Sequence, residues 1–99
     1  MKLGTPLTQP EAEELAIQAL SFIADEPERL RRFLAVTGIA PAEIRAAAAE
    51  PGFWAGVLEH LAADERLLTA FAADAGINPT AVGRALAALT GGAWERDNP

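Results

Sequence analysis

Apolar positions recur every three or four residues in short blocks, each fenced by proline, glycine or an acidic residue, which is the periodicity of short amphipathic helices. Leu15, Ala16, Ala19, Leu20 and Ile23 form the first stripe. Thr8-Gln9-Pro10-Glu11 precedes it at capping-box spacing, a hydroxyl to accept from the backbone and a carboxylate to reach back, so helix one is predicted from about Pro10 to Ala24. Asp25-Glu26-Pro27-Glu28 repeats that punctuation, ending helix one and opening helix two, which turns Leu30, Phe33 and Leu34 inward and ends at Gly38. Gly38-Ile39-Ala40-Pro41 has the order of a left-handed C-terminal glycine, an apolar residue folding back, and a proline starting the next helix. Helix three, Pro41 to about Ala49, is predicted to be weak because Ile44 is its sole large apolar residue. Pro51-Gly52 breaks the chain before a strongly apolar helix four, marked by Phe53, Trp54, Val57, Leu58 and Leu61. Asp64 caps helix five, with Leu67, Leu68, Phe71, Ala72 and Ala75 inward and Gly76 at its end. Asn78-Pro79 opens helix six, which carries Val82, Ala85, Leu86 and Leu89, and Gly91-Gly92 is predicted to stop it.

The fold class these elements define is all-α, a compact bundle of about six short helices. Sliding the chain by 38 residues superposes Leu20 on Leu58, Leu30 on Leu68, Phe33 on Phe71, Gly38 on Gly76, Ile39 on Ile77 and Pro41 on Pro79. The expected organisation is a lead-in over 1–9, a single helical domain over 10–90 with candidate three-helix repeats at 15–50 and 53–88, and a tail over 91–99. Helix, glycine turn and proline-started helix also converge on this pattern without duplication, so both origins stay open.

Composition narrows the chemistry. The 99 residues suit one core, and 51% hydrophobic against 22% charged residues exclude a disordered tail. There is no cysteine, hence no disulfide, thiolate metal site or cysteine nucleophile, and no cofactor is expected. Eight Lys and Arg against 14 Asp and Glu give a net charge of −6, the wrong sign for neutralising phosphates, so no nucleic-acid partner is expected. No targeting segment and no run of membrane-spanning length is visible, so the expected setting is cytoplasmic, without membrane association.

The basic cluster is Arg29, Arg31 and Arg32 on helix two, with Arg29 and Arg32 sharing a face at i,i+3. It reads as a solvated face or as a contact for an acidic partner. Trp54 is either part of a central helix four or the wall of a groove for another chain, and Trp94 either packs back onto the bundle or is a hook for a partner. His60 is the single histidine and falls on Phe22 in the repeat, which suits a half-buried packing role. Ser21 is the lone serine and lies mid-helix, and the carboxylates are scattered, so an enzyme is not expected. Phe71 to Leu86 resembles a helix-turn-helix, but its second helix offers only Thr80 and Arg84 to DNA.

The chain as a whole resembles a family of small, acidic, all-helical alphaproteobacterial proteins of unknown function. The likeness is carried by Glu13-Glu14-Leu15-Ala16 running into Ala19-Leu20-Ser21-Phe22-Ile23-Ala24, by Leu30, Phe33, Leu34 and Gly38, and by Phe53-Trp54 with Val57, Leu58 and Leu61. It implies no catalytic or binding residue, and by association of such genes with response regulators it implies a partner in bacterial signalling. The expected function is a non-catalytic helical protein-interaction or regulatory module, a monomer or weak homodimer, using Trp54, Trp94, Arg29 and Arg32 toward a protein partner. The alternative is a degenerate helix-turn-helix regulator using Thr80 and Arg84.

Overall fold

The computed structural model describes residues 7–50 and 52–97, with side chains described as far as residue 90. Its elements are α1 (Gln9–Ala24), α2 (Pro27–Thr37), a 3₁₀ turn (Pro41–Glu43) leading into α3 (Ile44–Ala48), α4 (Phe53–Ala62), α5 (Glu65–Ala75) and α6 (Thr80–Asp97). Six helices and no strand among the described residues make it the all-α bundle expected of the periodicity. The radius of gyration, 13.6 Å, is that of one domain of this length, for which about 13 Å is usual.

Local chemistry sets most boundaries. The capping box forms: the Thr8 hydroxyl accepts from the Glu11 N–H at 3.2 Å, and the Glu11 carboxylate accepts from the Thr8 N–H at 2.9 Å. Asp64 caps α5 by accepting from the Leu67 N–H at 3.2 Å. Both expected glycine turns are left-handed, Gly38 at φ 76° and Gly76 at φ 71°. At Gly76 the Ile77 N–H continues back to the Ala72 carbonyl at 3.0 Å, whereas the Ile39 N–H meets the Thr37 hydroxyl at 3.4 Å.

One boundary falls where the punctuation places it and one is corrected. The punctuation ends α1 at Ala24 and opens α2 at Pro27, but the Glu26 side chain at the N-cap makes no hydrogen bond to the backbone, and its carboxylate approaches Arg29 instead. Gly91-Gly92 does not stop α6, whose backbone stays helical to Asp97. Two glycines lower helix propensity by about 1 kcal/mol each but forbid nothing, and Ala93 to Asp97 can continue the helix.

The core is built where α1, α4 and α6 pack against one another, with α2 docked on α1 and α5 on α4. Phe33, Phe71, Ile23, Leu58, Leu61, Val57 and Val82 are its largest fully buried side chains, each worth about 1.5–3 kcal/mol of burial. On α1 the buried residues are Ala12, Ala16, Ala19, Phe22 and Ile23, while Leu15 and Leu20 are only partly covered. Ala12, Ala16 and Ala19 lie on one stripe, and small side chains there let a neighbouring helix come close. Leu30 and Leu34 on α2, and Leu67 and Leu68 on α5, pack on the rim of this core.

The 38-residue offset of the sequence carries into the geometry: it maps the bounds of α2 onto those of α5 and the left-handed Gly38 onto Gly76. Phe22 meets Phe71 edge-on with ring centroids 5.5 Å apart, and Phe33 meets His60 edge-on at 5.2 Å. Each contact joins the two halves, and the offset converts one pair into the other, as an approximate two-fold axis requires. The relation breaks at the third helix, where α6 runs 18 residues and α3 only 5.

Candidate functional site

Arg29 and Arg32 line one cleft, about 220 Å³, at the meeting of α2, α4 and α5, together with Glu26, Glu28, His60, Asp64 and Leu67. Their i,i+3 spacing puts them side by side, and the docking of α5 on α4 brings Asp64 and His60 opposite.

The two arginines differ in how firmly they are held. Arg29 donates from Nη1 to the Phe22 carbonyl at 3.2 Å, and its Cζ sits 4.0 Å above the Phe22 ring centroid. That carbonyl belongs to the last turn of α1, where a cation also offsets the negative end of the helix dipole. Glu26 lies 4.0 Å from its Nη2, so Arg29 is a staple between α1 and α2 with one edge toward the cleft. Arg32 is free by comparison. Its side chain is 72% exposed and its one ion pair among the described residues, to Asp64, is 3.9 Å long, a contact worth about 0–1 kcal/mol.

His60 is half-buried between the cleft and the Phe33 ring. Burial pushes its pKa below the ordinary 6.5, the nearby Asp64 carboxylate pulls it up, and Arg32 pushes it down. The ring is therefore neutral at pH 7. Asp64 stands one turn further along, but its oxygens serve the Leu67 N–H and Arg32, and His60 makes no hydrogen bond among the described residues. Among the carboxylates of its lining, Glu26, Glu28 and Asp64, the cleft presents the Arg32 guanidinium and the imidazole edge of His60, a pair that can receive a carboxylate in a two-pronged contact.

The other candidate residues lie elsewhere. Trp54 is partly buried in the first turn of α4, with its ring edge-on to Phe53 at 4.8 Å, and does not line the cleft. Trp94 lies outside the residues whose side chains are described. Thr80 and Arg84 are exposed on α6, and the Thr80 N–H and hydroxyl both donate to Asn78 Oδ1, at 2.9 and 2.8 Å. Among the described residues no group of His, Asp or Glu could hold a metal ion, and no helix is long and apolar enough to cross a membrane. Sequence reasoning kept His60 and Asp64 apart from the arginines.

A small all-α bundle with a polar cleft defines a structural class but no reaction. Residues 9–92 match the family described as a protein of unknown function, DUF3572, and the chain belongs to that family. No curated protein and no solved structure matches it.

Proposed function

We propose that the protein is a non-catalytic interaction module that docks an acidic segment of a protein partner on the cleft around Arg32, with a regulatory consequence for that partner. The observation that carries this reading is the contrast between the two arginines: Arg29 is committed to Phe22, while Arg32 projects beside it with one long ion pair. A fixed cation next to an exposed one gives a carboxylate-bearing segment a pre-set anchor and a second contact within reach. The DNA-binding alternative draws no such support, since Thr80 spends its hydroxyl on the α6 cap and Arg84 is the lone cation beside it in that helix's first turns.

Nuclear magnetic resonance with an Asp- and Glu-rich peptide tests the reading. Shifts are expected at the Arg32 and His60 side chains and at the α5 N-terminus, with none for a Lys-rich peptide, and Arg32→Glu abolishes them. Shifts absent from the cleft, or persisting in Arg32→Glu, remove the proposal.

A further inference from the structure

Two large apolar side chains are exposed among the described residues, Ile17 on α1 at 50% and Val36 on α2 at 68%. Ile17 stands beside carboxylates, and Val36 follows Arg32 by one helical turn. Ile17 lines a groove between α1 and α5, about 280 Å³, with Phe22 and Phe71 beneath it and Asp25 and Asp74 beside it. No Lys or Arg lines this groove, and neither aspartate is in an ion pair among the described residues. Such a site accepts an aliphatic side chain accompanied by a guanidinium or ammonium group. The surface of α2 displays that pair: Val36 lies one helical turn from Arg32, the cation left nearly free in the cleft.

We propose that the groove between α1 and α5 receives the Arg32 and Val36 stripe of α2 from a second copy of this chain, joining copies head to tail. The inference rests on reading Arg32 as the contact for an acidic surface, and it supplies that surface. Groove and stripe are different patches of one molecule, so the contact is heterologous: it consumes one of each and leaves one of each for a further copy or for ring closure. One aliphatic side chain and a pair of charge contacts fall far short of the roughly 800 Å² per partner of a stable interface, and the net charge of −6 opposes approach. The association is accordingly weak and reversible, and the local charges set its register.

Analytical ultracentrifugation of the full chain from about 10 μM to about 1 mM, the upper end matching the weak-binding range, reads the outcome. The weight-average mass of the wild type is expected to rise above the monomer with concentration. Ile17→Asp, which spoils the groove, and Val36→Asp, which spoils the stripe, each hold the chain monomeric. Their equimolar mixture returns to the mass of two chains and no more, because one variant retains the stripe and the other the groove. Should circular dichroism show Ile17→Asp unfolded, Asp74→Lys replaces it as the groove variant. A wild type monomeric throughout, self-association untouched by either substitution, or a mixture that stays monomeric overturns the proposal. A monomeric wild type whose Arg32 still responds to the acidic peptide removes the self-contact alone, and self-association without that response removes the peptide-docking reading alone.

Discussion

Burial disfavours the protonated His60 imidazole in the folded chain, while the unfolded chain takes up its proton near the ordinary pKa of 6.5. Between the lowered folded pKa and 6.5 the unfolded state therefore binds more protons, and stability increases with pH across that window. The stabilising contribution is fully present above 6.5 and is lost as the pH falls through the folded value. His60→Phe installs the ring that its counterpart Phe22 already carries and keeps the edge contact with Phe33. Its melting temperature is expected to depend less on pH just below 6.5 than that of the wild type, as followed by circular dichroism in matched buffers. Equal slopes would mean that burial does not exclude this proton. Residue chemistry of this kind is legible in sequence only when it is local. Thr8 and Glu11 declare their capping box by spacing alone, whereas Arg29 finds the Phe22 carbonyl by folding back across the corner between two helices, seven residues away.

At the scale of elements, the glycine turns and the α5 cap are the most legible parts of the chain, because left-handed backbone and capping geometry each admit few residue types. A Cβ placed on Gly38 or Gly76 meets nothing within 4 Å, so only the backbone conformation penalises a side chain there. Gly38→Ala and Gly76→Ala are each expected to cost about 1 kcal/mol in urea unfolding, with Asn at either position costing less because it tolerates the left-handed region. A loss several times larger at either site would point to a tertiary contact of the turn. Two features at this scale escaped. The run of α6 through Gly91-Gly92 escaped because propensity is a weak penalty that neighbouring helix formers outweigh. Ala12 escaped because 23 alanines in 99 residues make any one of them uninformative, whereas spacing picks out Ala16 and Ala19, and all three have no exposed surface.

On the scale of the whole molecule, the fold class was legible because helical periodicity and the absence of strand patterns agree along the entire chain. The meeting of Arg32 with Asp64 was not, since it depends on how α2 and α5 sit across the bundle. The 38-residue offset is the bridge between these two levels, because it foretells contacts in pairs: whatever Phe22 does with Phe71, His60 does with Phe33. If these ring pairs lock the halves together, each carries a coupling beyond simple burial, about 0.5–1.5 kcal/mol for edge-on aromatic contacts. Leucine substitutions suit the test, because truncating a buried Phe to Ala costs about 3–5 kcal/mol and would take most of the stability of a domain this small. A double-mutant cycle with Phe22→Leu and Phe71→Leu, and a second with His60→Leu and Phe33→Leu, are expected to give couplings of the same sign and similar size in chemical denaturation. The stacking of Arg29 on Phe22 is lost in the single and the double variant alike and so drops out of that cycle. Coupling within about 0.3–0.5 kcal/mol of zero in both cycles, the usual margin of additivity, would reduce the two-fold arrangement to shared turn chemistry in adjacent halves.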